Sequence, residues 1–236
     1  MKKEKVEEKK ELLNEKKLAI LVAIFLGLTT LLVAWANWIG ALHEGNQSAN
    51  YTKSNNLAAE GNAEYNVAAQ IYISDLFTWN TIFNLQLDME NARENGNEDE
   101  AKVIEIKLKK IMDENCSPKL LEAIALNNQQ EEKVFPFENE EFVNSYFESA
   151  KELLDKSQKA MEEGEKDNLH DDSFELVSVI YSVVLFLLGI VGVLKDFQNR
   201  KILFIFSVCI LIFAIIYMFT IPMPTGFNIM EFFSNK

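Results

Sequence analysis

Three stretches of the chain, residues 18–42, 176–194 and 202–221, contain no formally charged side chain and are dominated by Leu, Ile, Val, Ala and Phe. A helix rises about 1.5 Å per residue and the hydrocarbon of a bilayer is about 30 Å thick, so roughly 20 apolar residues span it. The pattern predicts three transmembrane helices. Elsewhere apolar residues return at three- and four-residue steps, as in Ala58, Tyr65, Ala69, Tyr72, Leu76, Trp79, Phe83 and Leu87. That spacing marks one face of an amphipathic helix. A second such face runs through Ala101, Ile104, Leu108 and Ile111, and a last one through Phe142, Tyr146, Ala150, Leu153 and Ala160. No alternating, strand-like stretch competes.

Punctuation divides these helices. Asn95-Gly96-Asn97 is a turn signal, and Ser117-Pro118 reads as an N-cap followed by proline at the first helical position of a short helix through Leu120, Leu121 and Ile124. Gln129 to Lys133 reads as loop, and Phe135-Pro136-Phe137 as an extended aromatic turn. The Asn-rich piece from Asn46 to Asn56 suggests a kink or break in the first long helix, and Gly164 suggests the end of the last amphipathic one. After Gly164, the acidic residues from Glu165 to Asp172 read as a loop or a loosely continuous helix.

Within span 1, Ala23, Gly27, Thr30, Ala34, Asn37 and Ala41 recur on one stripe, and span 2 has Ser178, Ser182, Gly189 and Gly192. Small residues let helices approach closely in lipid, so these stripes are the expected packing seam between spans 1 and 2. Span 3, with Phe204, Phe206, Phe213, Tyr217 and Phe219, has no such stripe and is expected to face lipid more.

Charge sets the orientation. Residues 1–17 hold seven lysines, and 195–201 hold three basic residues in seven. Short basic flanks stay in the cytoplasm. The expected fold class is therefore an all-α membrane protein: three transmembrane helices with an α-helical extracytoplasmic domain inserted between the first and second. Its parts are a charged cytoplasmic head (1–17), span 1 (18–42), the extracytoplasmic domain (43–173), span 2 (174–194), a basic cytoplasmic loop (195–201), span 3 (202–221) and an extracytoplasmic tail (222–236). Heptad spacing of Val6, Leu13 and Ile20 suggests that the first helix extends into the head with coiled-coil character; the alternative for this Lys/Glu-rich segment is a disordered charged tail. A cleaved signal peptide ending near Ala34-Trp35-Ala36 does not fit, because its leader would carry five glutamates and its apolar run exceeds a signal core.

Residues 43–172 carry 28 Asp and Glu against 12 Lys and Arg, a net of −16. Such a surface repels nucleic acid, which is excluded as a partner. The expected partners are the lipid bilayer and either further copies of this chain or a membrane or extracytoplasmic protein. Cys116 and Cys209, one in the outer domain and one inside span 3, form no disulfide framework.

Candidate chemistry is sparse. His43 and His170, one leaving span 1 and one approaching span 2, meet if the helices are antiparallel neighbours, and with Asp171 and Asp172 they form a candidate metal site. The acidic stretch from Asp88 to Glu100 fails as an EF-hand, since Gly96 at the sixth loop position puts Lys102 where a bidentate glutamate belongs. No phosphate-binding glycine loop, nucleophile–base arrangement or intramembrane charge stands out, so no enzyme and no cofactor are expected.

The series Asp75-Leu76 with Trp79, Ser117-Pro118, Leu120 through Ala123, Pro136-Phe137 and two closely linked spans ending near Pro222 resembles a group of uncharacterised prokaryotic three-span membrane proteins with a helical extracytoplasmic domain. The likeness runs from about Leu18 to Pro224; where that group often has a tryptophan closing the short helix, this chain has Leu126. The resemblance implies topology and carries no activity. The function expected is a non-catalytic scaffold, sensor or partner-binding protein; the alternative is a homo-oligomeric channel or transport accessory subunit.

Overall fold

Proline first occurs at position 118, and the glycines before Gly96 stand singly, so little in the first 94 residues stops a helix. In the computed structural model, which describes residues 2–127 and 135–227 with side chains from Leu13 onward, α1 runs unbroken as Lys2–Glu94. It is followed by α2 (Glu98–Asn115), α3 (Pro118–Asn127), a 3₁₀ turn (Pro136–Glu138), α4 (Glu140–Val193) and α5 (Phe197–Thr220). The described residues contain no strand, so the protein is all-helical. The expected loop from Gln129 to Lys133 lies outside the described residues, as does the tail beyond Phe227.

The chain divides into two compact units, one of residues 1–52 and 160–236 and the other of residues 53–159. In the first unit, three helices are long and apolar enough to cross a membrane. Their most apolar 18-residue windows are only 17%, 28% and 22% buried, and Leu31, Phe186 and Phe219 are each about 70% exposed. A water-soluble bundle would cover such residues, so the exposed apolar surface marks a membrane protein.

Inside this unit, a heptad-like spacing selects the packed face. On α4 it is Phe174, Val177, Tyr181, Val184, Leu188 and Val191; on α1 it includes Leu18, Val22, Thr29, Ala36, Ile39 and His43; on α5 it is Ser207, Leu211, Ala214 and Met218. Steps of three and four on all three helices are those of left-handed helix packing. The seam is therefore not drawn through the small residues. Ala23, Gly27, Thr30, Ala34, Asn37, Ser182, Gly189 and Gly192 are exposed, and among the described residues nothing comes within 4 Å of a Cβ placed on Gly27, Gly189 or Gly192. Ser178 alone of the two stripes is buried, and its hydroxyl donates to Asn37 Oδ1 at 2.5 Å. Branched and aromatic side chains fill the centre instead, and α5 shares that core with α1 and α4 rather than standing apart.

The helix ends are satisfied locally. Asp196 caps α5 by accepting from the Asn199 N–H at 3.1 Å, and Arg200 Nε donates to the Val191 carbonyl near the end of α4 at 3.0 Å.

On α2 and α4 the second unit uses the faces found in the sequence, but on α1 the buried face is a different one. Trp79 is buried as expected, whereas Tyr65, Phe83 and Leu87 are 43–49% exposed and Ala68, Asp75, Thr78 and Ile82 are buried instead. Trp79 and Ile82 of α1 meet Leu120 and Ile124 of α3, flanked by Leu108, Ile111 and Met112 of α2 and by Phe135 and Phe137. Gly96 takes φ +76°, which closes the α1–α2 turn where an L side chain would be strained. Ser117 caps α3, its Oγ accepting from the Leu120 N–H at 3.2 Å. Neither suspected break exists. α1 passes through Asn46 to Asn56, and α4 passes through Gly164 and on through Glu165 to Asp172. Gln47 and Asn50 bond across to α4 instead of to their own backbone, and Gly164 is needed for closeness, because a Cβ there would sit 2.5 Å from the Tyr51 ring.

Candidate functional site

Beyond the apolar core of the first unit, α1 and α4 continue side by side through polar residues at the same three- and four-residue spacing. His43, Gln47 and Asn50 on α1 face Asp167, Asn168 and His170 on α4. Gln47 Nε2 donates to Asn168 Oδ1 at 2.7 Å, and Asn50 Nδ2 donates to Asp167 Oδ2 at 3.3 Å.

His43 is the centre of this layer and is 1% exposed. Its Nδ1 lies 2.8 Å from Asp167 Oδ1 and its Nε2 lies 3.1 Å from the Pro222 carbonyl oxygen, just past the end of α5. Phe174 stacks beneath the ring at 5.8 Å, and the His170 ring stands edge-on at 5.0 Å. The segment after α5 is held here a second time, since Asn46 Nδ2 donates to the Thr225 carbonyl and hydroxyl oxygens, both at 3.3 Å. Phe227 then packs against Trp38 and Trp35 at 5.8 and 6.4 Å.

The two histidines expected to meet do so, but the carboxylate between them is Asp167. Asp171 turns toward Gly40, where a Cβ would lie 2.8 Å from its Oδ1, and Asp172 accepts from Asn168 Nδ2 at 3.4 Å. One potential ligand atom from each of His43, Asp167 and His170 lies within 4.8 Å of the others. Burial, followed by the neighbouring His43, holds the His170 imidazole below its usual range against the opposing pull of Asp167. Burial also raises the Asp171 carboxyl, with Glu175, Glu44 and Asp172 adding to the rise and His43 opposing it. Asp167 could have been found in the sequence: it lies seven residues before Phe174 on the same face and three before His170.

A second polar centre lies in the other unit. Asp75, 1% exposed, accepts from the Ser117 N–H at 3.0 Å, from the Ser117 hydroxyl and from the Tyr146 hydroxyl at 2.7 Å. One carboxyl group thus ties α1 to the start of α3 and to α4. Burial, and after it the hydrogen bond to Asp75, push the Tyr146 phenol well above its usual value; burial and Asp75 push the Cys116 thiol up to about 11. A protonated thiol and a capping serine are poor nucleophiles, and neither of the chain's two histidines lies in this unit. Trp79 Nε1 is buried with no hydrogen-bond partner among the described residues.

Comparison with known protein families, with curated proteins and with solved structures gives no match to this chain.

Proposed function

We propose that the protein is a non-catalytic membrane-anchored scaffold or sensor that binds a partner through the acidic helical unit of residues 53–159, displayed on the extracytoplasmic side. One observation carries this: the unit is closed around its own core, with its buried carboxyl spent on tying three helices together. Its remaining chemistry is surface chemistry. Residues 53–159 hold 21 Asp and Glu against 11 Lys and Arg, a net of −10, which suits a partner with a basic face. Exposed apolar side chains, Phe77 at 66% and Ile106 at 70%, offer contact points within that field. The lysine-rich head and the basic 195–201 loop support the orientation, both belonging on the cytoplasmic side.

A photo-cross-linking residue at Ile106 in living cells tests this. A single discrete adduct that weakens as salt rises is expected. A protein with no adduct at Ile106 or Phe77 is not a partner-binding scaffold of this kind.

The channel alternative has one observation in its favour, the uncovered small-residue stripe on α1, open to a second copy. Against it, the hydroxyls of Thr29, Thr30, Ser182 and Ser207 each donate to a carbonyl four residues back in their own helix rather than pointing into a pore. Purified protein in liposomes is expected to pass no selective ion current; a current abolished by a bulky residue at Gly27 would favour the channel.

A further inference from the structure

The hydrogen-bond surroundings of His43 contain a conflict that one added cation resolves. A carbonyl oxygen can only accept, so Nε2 carries the proton and donates to Pro222. A neutral imidazole then has a bare lone pair at Nδ1, and that lone pair points at a carboxyl oxygen 2.8 Å away. Two acceptors facing each other need a positive species between them, which is either a proton or a metal ion. A second imidazole, His170, stands beside it, with its ligand atom inside the 4.8 Å cluster.

We propose that His43 Nδ1, Asp167 and His170 bind one divalent transition-metal ion of the zinc class. Two imidazoles and one carboxylate are a donor set that suits this class and is poor for calcium or magnesium, which prefer all-oxygen shells. The surroundings match those of a built site. A metal-bound imidazole ordinarily donates its other N–H to a carbonyl or carboxylate, as His43 does to Pro222, and a ligating carboxylate is itself hydrogen-bonded, as Asp167 is by Asn50. Around tetrahedral zinc, ligand atoms stand about 3.4 Å apart. Three protein ligands leave a fourth position for water, and the His43–Pro222 bond links the ion to the segment following α5. The site lies wholly in the first unit and does not rest on the partner-binding function proposed for the second.

The test uses full-length protein in detergent, purified without a histidine tag, treated with chelator and desalted. Titration with Zn²⁺ against a chromophoric competitor is expected to give one ion per chain with a Kd below about 1 μM, and Co²⁺ to give the visible absorption of a four-coordinate site. Asp167→Asn and His170→Ala are each expected to weaken Zn²⁺ by about 100-fold or more, whereas Asp171→Asn with Asp172→Asn leaves it within about twofold. Circular dichroism of each variant confirms that helicity is kept. Absence of saturable binding in the unsubstituted protein overturns the proposal and leaves His43 as a proton-mediated partner of Asp167. Binding that survives His170→Ala or Asp167→Asn, or that falls only when the exposed acids are removed, overturns it equally.

Discussion

At the scale of single residues, Asp75 and His43 make the same point: a buried polar side chain is held by several partners that come from different helices. Removing the Asp75 carboxyl strands the Ser117 and Tyr146 donors away from water, a cost of about 2–4 kcal/mol. Asp75→Ala is therefore expected to speed hydrogen exchange throughout residues 53–159, with Tyr146→Phe costing less, about 1–2 kcal/mol, because it removes one donor and leaves the carboxyl two others. Wild-type exchange in either variant would show that the node stabilises nothing. The Cys116 thiol gives a pH dependence. Its folded value of about 11 lies above the ordinary one, so the fold favours the protonated form; that preference is fully present at neutral pH and is lost as pH rises through about 11. In a Cys209→Ser protein, alkylation of Cys116 is expected to be slow at neutral pH and to climb about tenfold per pH unit toward that value. A plateau near the ordinary thiol value of about 8.5 would contradict the burial.

At the scale of elements, the sequence signals that worked were those of local geometry. Gly96 at the turn, Ser117 at the cap and the amphipathic faces of α2 and α4 all depend on backbone rules or on periodicity, which a single sequence carries; the α1 face was misplaced, since Tyr65, Phe83 and Leu87 are exposed and Ile82 is buried. The misread signals depended on a neighbour. Asn46 to Asn56 and Gly164 look like breaks by propensity, yet in the fold Gln47 and Asn50 find partners on α4, and Gly164 admits Tyr51. The small-residue stripes misled in the same way, because a heptad of larger side chains offered a better-filled seam. Asp167 was passed over in favour of acids nearer the span, although its place in the heptad was visible. Glycine substitutions separate close contact from mere occurrence. Gly61→Val is expected to cost about 1–3 kcal/mol, since even a Cβ lies 3.0 Å from Leu154 and 3.3 Å from the Ala150 carbonyl. Gly45→Ala, with nothing within 4 Å, is expected to stabilise α1 by about 0.5–1 kcal/mol. Thermal melts in detergent that rank these two the other way would refute the assigned packing.

At the scale of the whole molecule, three apolar helices and a second compact, acid-rich helical unit of residues 53–159 define what must be explained. The spans were legible because the bilayer imposes length and exclusion of charge on any helix that crosses it. The sidedness that the lysine-rich flanks argue for is what the proposed function depends on. The most direct measurement is cysteine accessibility in intact cells, with Ile106→Cys placed in a background of Cys116→Ser and Cys209→Ser. A membrane-impermeant maleimide is expected to label Ile106→Cys without permeabilisation. Labelling that appears only after the membrane is opened would put residues 53–159 inside the cell and contradict the account.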